Sequence, residues 1–442
     1  MGPFSHRDFR LLFSAQIVAL LGTGLATVAL GLLAYDIAGS SAAVVLGTAL
    51  TIKMVLYVVI APVAAAYVDR LPRRAFLIAL DLFRAAIVLA LPFVTEVWQI
   101  YVLIGSLQAA SAAFTPTFQA VIPDIITDER EYTTALSASQ VAYTMESLVS
   151  PVVAALALLV IEFNVLFVGT AIGFVLSAVL VLQAKVPNAK PSGATRPTDR
   201  IFAGLRIFTG TASLRGVIAV NFAVAAAGSI VVVNTVNYVR DRLSGSESDV
   251  AWMMAASGGG TLAVALAVPR LLDRVTARAV MLTGAGLLTA AAISAVAMAA
   301  VDRPSWAVTA AIWVASGAGS ALAITPTGKV LRSAVAPANV AAVFAAQFSL
   351  SHLAWLIAYP IAGWGATRFG LVPAWGVLAL IAGAGAIAAP LLWRRRGALP
   401  AGTQLPAPVE GGDAVPSDQA WRHAAAADGT LTECQCTCTQ AA

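Results

Sequence analysis

Two ionisable residues stand alone deep inside long apolar runs of this 442-residue chain, Lys53 within residues 43–68 and Glu146 within residues 135–161. At 1.5 Å per helical residue, each lies about 15 Å from the start of its run. A charge at the centre of a bilayer costs ~2.5 kcal/mol or more, so such residues face the protein interior or a watery cavity. Glu146 stands five residues before Pro151. A carboxylate there can carry a proton and release it when a cation binds. The other reading is a salt bridge with Lys53 that neutralises both groups, and a bridge that breaks in one conformation is also a coupling element. Lys53 opposes a free cation site beside it unless Glu146 or Asp36, which ends the first run, compensates. Asp81 and Arg84 are three residues apart and share a helical face. They read as an internal ion pair joining helices or extending a loop latch, or as part of the coupling site.

The second half offers neutral polar groups instead, read as candidates to face a solute cavity: Asn221, Asn234, Asn237, Gln347, Ser351 and His352. Asn234 and Asn237 share a face, as do Gln347 and Ser351. His352 can ligate a metal or carry protons, and its alternative is hydrogen-bonded packing. The three cysteines fall within the last nine residues, as Cys434, Cys436 and Cys438. Their alternate spacing is not the C-x-x-C of structural zinc sites. In a reducing cytoplasm three free thiols suit a soft or borderline ion, with His423 and Glu433 as further ligands.

The elements that position these groups follow from composition. Hydrophobic residues make up 59% of the chain and charged ones 11%, which excludes a soluble cytosolic protein. Twelve apolar runs are expected as helices: 11–36, 43–68, 75–95, 98–120, 135–161, 163–184, 213–239, 250–270, 278–300, 305–325, 338–365 and 372–393. Gln16, Thr23, Thr27 and Tyr35 interrupt the first, which exceeds the core of a cleavable signal and is expected to stay as helix one. With the N-terminus inside, the inside loops hold 20 Lys and Arg and the outside loops 4. That bias places both termini in the cytoplasm of a multi-pass cytoplasmic-membrane protein. The net charge of +5 therefore orients the chain in a bilayer and does not imply nucleic acid.

A polar stretch rich in Pro divides six runs from six. The expected organisation is a bundle over 1–184, a cytoplasmic linker over 185–212, a second bundle over 213–393 and a disordered cytoplasmic tail over 394–442. The halves echo each other. Asp69-Arg70 matches Asp273-Arg274, 204 residues later; Thr115-Pro116-Thr117 matches Thr325-Pro326-Thr327, 210 later; Pro151 matches Pro360, 209 later. This implies an all-α membrane protein of two pseudo-symmetric six-helix bundles with a solute cavity between them.

The stretch Ala65-Ala-Tyr-Val-Asp69-Arg70-Leu-Pro72-Arg73-Arg74 resembles the loop motif G-x-x-x-D-R-x-G-R-R of the major facilitator superfamily, with Ala65 and Pro72 in place of the glycines. Leu271-Leu-Asp273-Arg274 with Arg278 resembles its degenerate second copy. In such a loop the aspartate and arginines form a charge latch that holds helix ends together in one state; the alternative is positive-inside topology alone. Leu46–Met54, Ala79–Ala85, Phe114–Asp124 and Ala142–Pro151 further resemble the drug-exporter-like branch and, within it, bacterial nickel-resistance permeases. Members of that group end in a histidine-rich tail, where this chain has His423 and the cysteines.

The resemblance implies a secondary transporter, not an enzyme, working as a monomer on the proton gradient and without a cofactor. Its first expected cargo is a transition-metal cation, nickel or cobalt, exported across the membrane; the alternative is a drug, siderophore or other small organic solute. A sensor or enzyme has no support, because no nucleotide loop, Ser/His/Asp constellation or H-E-x-x-H occurs.

Overall fold

The computed structural model describes residues 2–67, 72–126, 128–187, 197–301, 303–336 and 339–394, and among them there are helices and turns but no strand. The first half comprises α1 (Arg7–Ala38), α2 (Ala42–Tyr67), α3 (Arg73–Ala90), α4 (Val97–Ile125), α5 (Glu129–Ala157) and α6 (Phe163–Gln183). A short helix, α7 (Pro197–Gly210), follows. The second half comprises α8 (Ala212–Asn237), α9 (Glu247–Leu272), α10 (Ala277–Val301), α11 (Trp306–Ile324), α12 (Thr327–Ala334), α13 (Val340–Pro360), α14 (Ala366–Phe369) and α15 (Leu371–Arg394).

Each of the twelve expected runs coincides with a helix over its described residues. Local signals set their ends. Gly39, at φ +52°, stops α1 three residues before α2 begins, a conformation that favours glycine. Glu96 with Gln99 caps α4, and Ser246 with Asp249 caps α9, each pair closing a reciprocal capping box. Pro360 ends the regular part of α13 and is followed by a π-helical turn over Ile361–Gly365.

Ten runs among the described residues are long and apolar enough to cross a membrane, the first covering α1 and most of α2. Helix α5 falls outside them because Ser, Thr, Gln and Glu dilute its apolar residues, yet it packs on α1 and α9 like the others. Large apolar side chains such as Phe93, Val160, Leu380 and Ile387 remain exposed around the outside of the bundles, as lipid contact requires.

Within the first half α1 packs on α5 and α6, α2 on α4, and α3 on α4 and α6; within the second, α8 packs on α13 and α15, and α11 on α9 and α10. The halves meet along two main seams, α2 against α13 and α5 against α9. Under the sequence repeat α2 corresponds to α9 and α5 to α13, so the two seams are the same crossing made twice. One repeat match differs in structure: α4 runs unbroken through Thr115-Pro116-Thr117, whereas α11 ends at Ile324 and α12 starts at Thr327.

The linker stretch holds an unanticipated helix. Pro197 opens α7, and Ile201, Phe202, Leu205 and Phe208 recur at helical spacing. Phe208 is buried, α7 packs against α13 and also touches α2, and Gly204 lies against the Ala342 carbonyl.

Candidate functional site

Lys53 on α2, Glu146 on α5 and His352 on α13 converge electrostatically where the halves meet. Lys53 acts on both Glu146 and His352, without a direct ion pair among the described residues. Glu146 lies against α1 at Gly24, where an added Cβ would stand 3.4 Å from Glu146 Cγ and collide with Ser150. The ammonium of Lys53 lies 5.8 Å from the Tyr57 ring centroid. Tyr57 stacks on His352 at 5.3 Å with an interplanar angle of 9°, and His352 lies 4.0 Å from the Phe348 ring. The seam between α2 and α13 is therefore built from three rings with a cation at one face.

His352 Nδ1 is 2.7 Å from the Phe348 carbonyl oxygen. A carbonyl only accepts, so Nδ1 carries a proton. Among the described residues no three His, Cys, Asp or Glu side chains come together as metal ligands.

Asp81 and Arg84 take the internal-pair arrangement. Asp81 is fully buried, pairs with Arg84 and accepts a 2.8 Å hydrogen bond from Ser177 Oγ on α6. The Arg84 guanidinium is held between the rings of Phe114, at 4.2 Å, and Phe174, at 4.5 Å. This knot joins α3, α4 and α6 inside the first half and lies off the seam with the second.

The latch residues are divided. Asp69 and Arg70 lie outside the described residues. Arg73 pairs with Asp124 at the end of α4, and Arg74 donates to the Leu182 carbonyl on α6, so both fasten α3 within its own half. In the second copy Asp273 caps α9 and is exposed with Arg274, while Arg278 lies 5.9 Å from the Trp393 ring.

Most polar candidates of the second half find hydrogen-bond partners within that half. Asn221 and Gln347 exchange reciprocal amide hydrogen bonds of 3.2 and 3.1 Å between α8 and α13. Asn234 donates to the Ala362 carbonyl of the π turn at 2.9 Å and accepts from Trp375 Nε1 at 2.9 Å. Ser351 donates to the Phe348 carbonyl at 2.8 Å. Asn237 is different: it crosses to the first half, donating to the Ser40 carbonyl at 2.9 Å and to Asp241 at 3.2 Å.

Around Asn237 the structure brings together residues that carry no signal of their own in the sequence. Tyr35 donates to Asp241 at 2.5 Å, and Arg240 lies 5.2 Å from the Tyr35 ring. Trp364 Nε1 donates to Thr48 Oγ1 at 2.8 Å. At this end of the molecule, which carries the α1–α2 and α8–α9 turns, the two halves are joined by side chains from both. Asp36, exposed at the end of α1, lies in the electrostatic neighbourhood of Glu247 together with Glu162. The tail residues Cys434, Cys436, Cys438 and His423 lie outside the described residues.

The sequence profile of the Major Facilitator Superfamily matches residues 12–232 and again 217–428. Macrolide efflux protein A of Streptococcus pyogenes is 28% identical over 185 residues, 41% of this chain and 45% of that protein. Macrolide efflux protein A of Enterococcus faecalis is 30% identical over 153 residues, 32% of this chain and 47% of that protein. The matches thus span less than half the length of these relatives. Among solved structures, a POT family transporter in complex with 5-aminolevulinic acid has a TM-score of 0.67 at 12% identity, covering 88% of this chain and 97% of that one. A mutant of the nucleoside transporter NupG has a TM-score of 0.65 at 14% identity, covering 87% and 100%. A bacterial homologue of the human lysosomal transporter Spinster, inward-facing and unoccupied, has a TM-score of 0.62 at 14% identity, covering 88% and 95%. Such low identities speak for the fold alone.

Proposed function

The chain belongs to the Major Facilitator Superfamily, and on that premise we propose that it exports lipophilic organic solutes of the macrolide class in exchange for protons. It is a multi-pass secondary transporter and not an enzyme. The observation that carries the proposal is Glu146: a carboxylate at mid-depth on α5, coupled electrostatically to Lys53 of α2, which in turn borders the Tyr57, His352 and Phe348 rings of the α2–α13 seam. A buried carboxylate with an aromatic cluster on the far side of its lysine partner suits a bulky apolar molecule that carries an amine. A proton on Glu146 and a cation beside it exclude each other, and that exclusion is the exchange. The likeness to macrolide efflux proteins supports an organic cargo over a metal ion.

The nickel or cobalt reading keeps one observation of its own, the cluster Cys434, Cys436 and Cys438 after 433 residues without a cysteine. One experiment separates the two. Cells expressing the chain are titrated with macrolides and with Ni, Co, Zn and Cu ions, and uptake into inside-out vesicles is followed under a pH gradient. Macrolide resistance with gradient-driven macrolide uptake, lost in Glu146→Gln, is the expected result. Metal tolerance that weakens when the three cysteines become serine, with no macrolide effect, would replace the organic cargo by a metal. An active Glu146→Gln protein would remove Glu146 from coupling.

A further inference from the structure

Within the first half α1, α2, α4 and α6 enclose a cavity of about 20 Å³, walled in part by Thr23, Thr27, Lys53, Gln108 and Ser111. Its size suits one water or one ammonium head. Thr23, Thr27 and Ser111 each give their single hydroxyl proton to their own helix, to the carbonyls of Ala19, Thr23 and Leu107 at 2.9, 3.0 and 3.0 Å. Their oxygens are left as acceptors. Gln108 is only 8% exposed, and its Oε1 has no hydrogen-bond partner. A buried acceptor without a donor carries a free-energy cost and calls for an explanation. Beside apolar side chains such as Leu50, Leu107 and Phe174 the wall thus offers three hydroxyl acceptors and the Gln108 carbonyl oxygen, with the Gln108 amide NH2 as its own donor, and a primary ammonium presents three N–H donors and no acceptor.

Lys53 borders this cavity and also faces Tyr57 and Glu146. An aromatic face and a carboxylate are the two features that recognise a lipophilic amine. Lys53 occupies the place that a cationic solute would take, and a charge displaced inside a membrane protein must find new partners. We propose that the cavity is a binding site for the Lys53 ammonium, which docks on Gln108 Oε1 and the neighbouring hydroxyls when a cationic solute replaces it beside Glu146. The site deepens the proposed role of Glu146 and rests on it. Gln108 is then a positioning residue: it never meets the solute, and it sets how easily Lys53 yields.

The chain has only four lysines, Lys53, Lys185, Lys190 and Lys329, so the Lys53 side-chain resonance can be assigned by Lys53→Arg in full-length protein labelled with ¹³C,¹⁵N-lysine in lipid nanodiscs. Glu146→Gln removes the competing carboxylate with no solute present. The expected result is a shift of the Lys53 Cε–Nζ signal in Glu146→Gln that is cancelled by adding Gln108→Met and kept when Gln108→Glu is added instead. An unshifted signal in Glu146→Gln overturns the proposal. So does a shift that survives Gln108→Met, which marks a cavity filled by water. Because no solute is used, a failed macrolide assay removes the cargo while leaving this readout intact, and a failed shift removes the docking site while leaving the cargo.

Discussion

Replacing Gly47 by valine should hold the halves apart at the α1–α2 end. There α2 crosses the π turn after α13 with backbone against backbone. A Cβ on residue 47 would stand 2.9 Å from Gly363 Cα and 3.1 Å from the Tyr359 oxygen, and a Cβ on residue 363 would stand 2.6 Å from the Ala43 oxygen. None of these atoms can swing aside, so the added volume is relieved only by separating the helices. Overpacking of this kind costs about 1–3 kcal/mol. Residue 47 meets the other half only when this end is closed, so the cost falls on the closed state and shifts the open-to-closed ratio about 5- to 150-fold. With Cys434, Cys436 and Cys438 changed to serine the chain has no thiol, and a single Val236→Cys becomes the reporter. Val236 is 2% exposed and faces Gly31 of the first half, where a Cβ would come within 3.0 Å of its side chain. We propose from the charge asymmetry that this end faces outside, where an impermeant maleimide can reach it. Labelling of the reporter thiol should accelerate at least about fivefold in Gly47→Val, with Gly47→Ala between it and the parent. Equal labelling rates in folded Gly47→Val and parent protein would refute the closure argument.

Other substitutions separate the remaining contacts. Tyr35→Phe removes the 2.5 Å hydrogen bond to Asp241; in its exposed setting this is worth about 1 kcal/mol, and labelling of the same reporter should rise about fivefold. Arg84→Met strands the buried Asp81 carboxylate at a cost of about 3–5 kcal/mol, visible as a lowered melting midpoint by tryptophan fluorescence, and adding Asp81→Leu should restore part of it. Trp375→Phe takes the donor from Asn234 Oδ1 and should destabilise the second half by about 1–3 kcal/mol in the same measurement without changing thiol labelling between the halves. Truncation after residue 397 should leave gradient-driven macrolide uptake intact; loss of uptake would give the tail a part in transport.

The architecture is legible in the sequence because its signals are long. Twenty-residue apolar runs fix helices, and the matches Asp69 to Asp273 and Pro151 to Pro360 announce a repeat that reappears as two equivalent seams. The site is legible only where burial of a charge is costly, which singles out Lys53, Glu146, Asp81 and Arg84 but says nothing of partners. That Arg84 lies between Phe114 and Phe174 depends on three helices meeting, and no spacing along one helix encodes it. Tyr35, Asp241, Thr48 and Trp364 are not legible as a cluster, because Tyr35 and Asp241 are ordinary near a helix end and Thr48 and Trp364 are ordinary within apolar runs. Asn234 and Gln347 read as facing a solute because a lone amide in an apolar run has no visible partner; Trp375 and Asn221 supply those partners from distant positions. The α7 helix is hidden because Pro197 and its polar neighbours mask a four-residue apolar stripe.

That helix changes what the connection between the halves can do. A flexible linker would leave them free to rock about either seam. Here about 21 Å of helix lies against α13, with Phe208 buried, Gly204 pressed on the Ala342 carbonyl and only a narrow touch on α2. A rotation of the halves would carry α7 with the second, because its contact with α13 is broad and its contact with α2 is narrow. Helix α7 is thereby a rail fixed to the second half, and its narrow contact with α2 is the part of that rail that an opening on this side would have to break.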